Sequence, residues 1–127
     1  MPQAAKLRNS LEFRIVYEKG VRYDGRLLTA FVRRNDCGYH RLGITASRKL
    51  ARRAVERNRF KRLLREMFRL SSEDLKTTQA SYDWVLNAKR SLLKVKLVAA
   101  LKDFRGVLAC LKRDEGISGA EIERQSL

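Results

Sequence analysis

Arg52-Arg53-Ala54-Val55-Glu56-Arg57-Asn58-Arg59-Phe60-Lys61-Arg62-Leu63 is the stretch on which the reading of this chain turns. Cations stand at nearly every position that is not apolar, and the run continues through Leu64, Arg65, Met67 and Phe68 to Arg69 without a Gly or Pro. A helix from about Arg52 to Arg69 fits it. At 100° per residue, Phe60, Leu63, Leu64, Met67 and Phe68 fall within an arc of about 140°. Asn58, Lys61, Arg62, Arg65 and Arg69 occupy a separate arc, with Arg59 on its far shoulder. One side buries and the other is cationic. Solvated helix faces ordinarily mix signs, whereas here only Glu56 and Glu66 offset ten basic residues between Arg48 and Arg69. A guanidinium meets phosphate oxygens two at a time through its planar fork. The row therefore suits a phosphodiester backbone, that of RNA above all.

Composition points the same way. The 127 residues are enough for one domain with a single core, and the net charge is +15 at pH 7. Such charge implies polyanionic partners, with affinity that falls steeply with salt. Anionic membranes are the competing polyanion, but no apolar segment approaches the roughly 20 residues that span a bilayer. Arg8, Asn9, Ser10 and Glu12 interrupt Leu7 to Phe13, so no signal-peptide core follows the start. The expected location is the cytoplasm. Cys37 and Cys110 are far apart and His40 is the only histidine. These do not make the four ligands of a structural zinc, so two ordinary thiols, a surface histidine and no protein-held metal are expected.

Outside the basic helix, periodicity gives the remaining elements. Residues 1–8 form a basic N-terminal arm. A helix starts near Ser10, capped by Asn9 or Ser10 with Glu12 completing a capping box, and stops at Gly20. A weakly marked strand lies around Val21–Tyr23. Leu28, Ala30 and Val32 alternate with Thr29, Phe31 and Arg33; after the Asn35-Asp36-Cys37-Gly38 turn, Leu42, Ile44 and Ala46 alternate with Arg41, Gly43, Thr45 and Ser47. These two runs read as antiparallel neighbours. In a third strand, Tyr82 to Ala88, Trp84, Leu86 and Ala88 face the core and Asp83, Val85, Asn87 and Lys89 the open side. A last helix, about Leu93 to Arg113, carries Leu97, Leu101, Phe104, Leu108 and Leu111. Gly116 ends it, leaving residues 116–127 as a polar tail after a single domain over 9–115. The architecture is α+β, with helices mainly covering one face of the sheet.

The open face would present Thr29, Phe31, Arg33, Arg41, Thr45, Ser47, Asn87 and Lys89. An aromatic among hydroxyls and cations suits unpaired nucleotides, whose bases stack while their phosphates meet cations. Phe13 and Tyr17, one turn apart, either extend that platform or pack the first helix onto the sheet. Catalytic machinery is missing: the 14 acids do not cluster for two-metal chemistry, and Ser47 and Cys37 have only His40 as a base. Three rival readings are a ribosomal or rRNA-chaperone protein, a DNA-binding module, and a nuclease with its own metal site.

Arg41-Leu42-Gly43-Ile44-Thr45-Ala46-Ser47-Arg48-Lys49 and Ala54-Val55-Glu56-Arg57-Asn58-Arg59-Phe60-Lys61-Arg62-Leu63-Leu64-Arg65-Glu66 closely resemble the bacterial ribonuclease P protein component. Glu12 to Gly20 and Asp83-Trp84-Val85-Leu86 match that family as well, so the likeness runs from about Leu7 to Arg113. It implies a two-layer α/β sandwich of about four strands, in α-β-β-β-α-β-α order. A left-handed crossover at the basic helix makes it similar to domain IV of elongation factor G. The resemblance also implies an accessory subunit of an endoribonuclease that removes 5′ leaders from precursor tRNA. The ribonuclease P RNA is then the catalyst and uses Mg²⁺, no catalytic residue lies in the protein, and neither DNA nor membrane is a partner. Arg48, Lys49, Arg53, Arg57, Asn58, Arg59, Lys61, Arg62 and Arg65 would contact the catalytic RNA. Phe13, Tyr17, Phe31, Arg33, Arg41, Ser47 and Lys89 would line the leader cleft. The chain departs from the family at Ala51, often Gly, at Glu56, usually apolar or basic, and after Glu115.

Overall fold

A computed structural model describes residues 5–47, 49 and 51–125, with Leu93 and 117–125 described by backbone alone. In chain order the elements are β1 (Ala5–Lys6), α1 (Ser10–Lys19), β2 (Val21–Asp24), β3 (Leu28–Arg34), β4 (Arg41–Thr45) and α2 (Ala54–Leu70). There follow α3 (Ser72–Leu75), β5 (Tyr82–Ala88), a 3₁₀ turn (Arg90–Lys94) and α4 (Leu97–Gln125). One five-stranded sheet has the order β1-β4-β5-β3-β2. The α+β class is as read from sequence; the fifth strand comes from the arm, where Ala5 and Lys6 pair in parallel with Arg41 and Leu42.

β3 and β4 are not neighbours. β5 lies between them, antiparallel to β3 and parallel to β4, with α2 in the connection from β4 to β5. Trp84, Val85 and Leu86 are all fully buried, which suits β5 to the centre of a sheet covered on both faces. Alternation in β3 and β4 records only which side chains share a face, and it is silent about what stands between the strands.

The rungs across β3, β5 and β4 sort the side chains. Val32, Trp84 and Leu42 share a rung, as do Ala30, Leu86 and Ile44. This face packs on Phe60, Leu64, Met67 and Phe68 of α2 and on Ala100, Phe104, Val107, Leu108 and Leu111 of α4. Removing a large aromatic such as Trp84 from this core costs about 3–5 kcal/mol. The opposite face is not open: α1 lies over it, with Val16 against Val85 and with Leu7, Phe13 and Phe31 beside them. The helices therefore divide between both faces, where the sequence placed them mainly on one.

α1 begins and ends where the sequence indicates, by slightly different chemistry. The Asn9 Oδ1 accepts from the Glu12 N–H at 2.9 Å, but Glu12 reaches back to the Arg8 N–H at 3.0 Å rather than to Asn9. Gly20 has φ −80°, not a left-handed cap; its use is space, since a Cβ there would lie 2.4 Å from the Val16 carbonyl oxygen. Gly38 does take positive φ, at 82°. α4 runs on past Gly116, where sequence placed its end. A helical glycine costs about 1 kcal/mol, and Ala120, Glu121 and Glu123 beyond it are ordinary helix formers. Tyr23 and Tyr82 fasten the helix just before that point, donating at 2.5 Å to Asp114 and to the buried Glu115.

His40 is not a surface histidine. Its Nδ1 accepts from the Tyr82 N–H and the Trp84 indole N–H, each at 3.1 Å, and its Nε2 lies 3.1 Å from the Leu75 carbonyl oxygen. Two donors at Nδ1 place the proton on Nε2. Burial lowers its pKa below the ordinary 6.5, so the folded state favours the neutral ring. The stability so gained is whole above the ordinary value and is lost as pH falls below it toward the lowered folded value. The melting temperature is expected to drop between about pH 7 and pH 5.5, and His40→Leu to abolish that slope. Equal slopes in the two proteins would discard the assignment.

Candidate nucleic-acid interface

α2 turns its apolar arc inward and its cationic arc out. Asn58, Arg59, Arg62 and Arg65 are exposed and Lys61 is half-buried. Among the described residues, Arg59, Arg62 and Arg65 have no carboxylate partner. From Asn58 to Arg65 the row covers about 10 Å of helix. Arg69, placed in the same arc by sequence, is instead tied to Glu66.

Arg57 behaves differently from its neighbours. Its Nη1 donates to the carbonyls of Ala51 at 3.0 Å and Arg52 at 2.9 Å. α2 has no side-chain cap at Arg53, so Arg57 is the side chain that joins the helix to the segment leading into it. Ala51 is buried there without positive φ, so the turn into α2 does not call for a glycine at this position. Lys49 and Arg53 are exposed nearby; Arg48 lies outside the described residues.

The second group faces α1 in three successive rungs. They hold Arg33, Asp83 and Arg41; then Phe31, Val85 and Gly43; then Thr29, Asn87 and Thr45. The ring of Phe13 rests on Gly43, where an added Cβ would sit 2.5 Å from the ring carbons. Tyr17 spans the lower two rungs. Its ring meets Phe31 edge-on with centroids 4.8 Å apart, and its hydroxyl donates to Asn87 Oδ1 at 2.9 Å. Arg22 stands over Phe31, 5.8 Å from the ring centroid, within cation–π range. Phe13, Tyr17 and Phe31 are thus brought together, and Tyr17, 37% exposed, is the most accessible.

The cations expected in this cleft are less available. Arg41 is held by Asp83, with bonds of 2.6 and 2.7 Å, and by Glu12 at 2.9 Å. Burial pushes the Asp83 carboxyl up, but Arg41 and Asn35 outweigh it and hold the pKa below the usual range. Lys89 donates to the Gly25 carbonyl at 2.7 Å and lies 3.5 Å from Asp24, so it fastens the β2–β3 turn. Asp103 grips that same turn through the Arg26 and Leu27 amides, at 2.9 and 3.0 Å. Arg33 is half-buried beside Asp83, and Ser47 is exposed just after β4. Sequence named Asn87 and Thr45 without a partner; the Tyr17 hydroxyl supplies one. Among the described residues no three His, Cys, Asp or Glu side chains converge as a metal site requires, and no helix is long and apolar enough to cross a membrane.

Fold and surface together define a small basic α+β protein with one arginine-faced helix and an aromatic cleft across the sheet from it. The family model for ribonuclease P matches residues 1–112. The ribonuclease P protein component of Clostridium botulinum (strain Loch Maree / Type A3) is 41% identical over 86 residues, covering 68% of this chain and 75% of that protein. That of Methylococcus capsulatus is 39% identical over 101 residues, 80% of this chain and 76% of the relative. The Staphylococcus aureus RNase P protein superposes with a TM-score of 0.72 at 26% identity, covering 86% of this chain and 96% of that one. For the Thermotoga maritima protein the values are 0.70, 27%, 85% and 96%. The chain belongs to the bacterial ribonuclease P protein family.

Proposed function

We propose that this chain acts as the protein subunit of ribonuclease P, binding the catalytic RNA through α2 and the 5′ leader of precursor tRNA in the cleft under α1. The observation that carries this reading is the row Arg59, Arg62 and Arg65, exposed and without carboxylate partners among the described residues, on a chain of net charge +15. Such a row neutralises phosphates, while the Tyr17–Phe31 pair offers a stacking surface to unpaired bases.

The protein contributes binding, and the RNA, with its Mg²⁺, performs the cleavage. The engagement of the histidine and the two buried carboxylates is in keeping with this division. His40 has both ring nitrogens committed, Asp83 serves Arg41, and Glu115 accepts from Tyr82, so none is poised as a general base. By screening repulsion between two polyanions and gripping the leader, the protein lowers the Mg²⁺ requirement and favours precursor over mature tRNA. It does so in the cytoplasm, with neither DNA nor membrane as partner.

The test is cleavage of a precursor tRNA at low Mg²⁺, with the chain alone and then with a bacterial ribonuclease P RNA. Silence alone and strong stimulation of the RNA are expected. Cleavage by the chain alone would place an active site in the protein, and no effect in either arm would reduce it to a general RNA binder.

A further inference from the structure

Phe13 is a wall shared by two hollows. On one side lies the cleft with Tyr17 and Thr45. On the other is a groove of about 450 Å³ that wraps the outer edge of β4 beneath α2. Leu42, Ile44 and Phe68 form its apolar floor, and Lys6, Lys61, Arg62 and Arg65 its rim. Its one carboxylate, Glu66, is engaged by Arg69.

The groove also contains an unfinished strand edge. β1 ends at Lys6, and the last bond on that side runs from the Leu7 N–H to the Leu42 carbonyl at 3.1 Å. Alternate residues of a strand turn their N–H and C=O to the same neighbour. Ile44, two residues beyond Leu42, therefore turns its pair outward, where no strand continues. Among the described residues no backbone bond reaches Ile44 from that side.

We propose that this groove takes one unstacked nucleobase of a bound RNA. The base edge meets the Ile44 N–H and C=O, its ring lies between Phe13 and the apolar floor, and its flanking phosphates meet Arg62 and Arg65. Every nucleobase carries a donor beside an acceptor on its Watson–Crick edge, so main-chain recognition here holds the strand with little base preference. An added peptide strand would use the same edge, but a rim of four cations favours a polyanion. The proposal rests on the RNA-binding reading above and adds a third contact to it, lying between the α2 row, with which it shares Arg62 and Arg65, and the α1 cleft, with which it shares Phe13.

Hydrogen exchange at the Ile44 amide, followed by mass spectrometry on the full chain, tests it. One arm adds a single-stranded RNA of about six nucleotides with a leader sequence; another adds a bacterial ribonuclease P RNA alone; a third adds polyglutamate. RNA saturation is read separately by filter binding. Slowing of about tenfold, the effect of one net hydrogen bond, is expected in at least one RNA arm. The arm that shows it identifies the source of the base as leader or catalytic RNA. Saturating RNA with unchanged exchange at Ile44 overturns the groove assignment and leaves RNA binding standing, as does protection by polyglutamate alone. Failure of both RNAs to bind overturns both readings.

Discussion

Alanine at Arg59, Arg62 and Arg65 together is expected to lower affinity for the catalytic RNA by roughly two to three decades at about 0.1 M salt. The size follows from counterion release: each phosphate contact contributes about 0.9 decade of affinity per decade of salt, and three contacts are removed. The same variant should flatten the salt dependence, the slope falling by about three. Folding should be nearly untouched, because exposed surface positions rarely change stability by more than about 0.5 kcal/mol. Arg57→Ala works by another route. It removes two hydrogen bonds to the carbonyls of Ala51 and Arg52, costs about 1–2 kcal/mol locally, and changes RNA affinity through the set of the helix start. Filter binding across a salt series separates them. An unchanged slope in the triple variant would mean that α2 does not face the RNA.

Much of this was legible in the sequence because periodicity reports faces. The apolar arc of α2, the core side of Trp84 and Leu86, and the face shared by Thr29, Phe31 and Arg33 all follow from spacing alone. Adjacency is a different kind of information. The sequence around Asn35–Gly38 invites a hairpin between β3 and β4, and only the doubly buried run Trp84-Val85-Leu86 hints that β5 takes the place between them. Availability is the other hidden quantity. Arg41 and Lys89 have the residue type and the face expected of phosphate contacts, yet Asp83, Glu12 and the Gly25 carbonyl hold them. These partners lie 29 to 64 residues away in the chain, so no local pattern announces them. His40 was misplaced for the same reason, its partners coming from Leu75, Tyr82 and Trp84. Residue type indicates what a group can do; long-range contacts decide whether it is free to do it.

That distinction sets the expectation for the cleft, where the free surface belongs to Tyr17. Its hydroxyl is pinned at Asn87 and its ring stands on Phe31, so the ring is held in place before any base arrives. Tyr17→Ala removes a stacking platform worth about 1–3 kcal/mol per base and should weaken precursor tRNA binding by roughly five- to 150-fold. Tyr17→Phe keeps the ring and loses the pin, so it should cost at most about tenfold. Phe31→Ala leaves Tyr17 without its support and should resemble Tyr17→Ala, with an added loss of stability because Phe31 also packs beside Val16 and Val85. Mature tRNA has no leader, and its affinity should be the same for all three variants and the parent protein. Titrations of precursor and mature tRNA against each holoenzyme measure this directly. Equal losses for both RNAs would move the leader out of the cleft. A Tyr17→Phe variant as weak as Tyr17→Ala would shift the contact from the ring face to the hydroxyl.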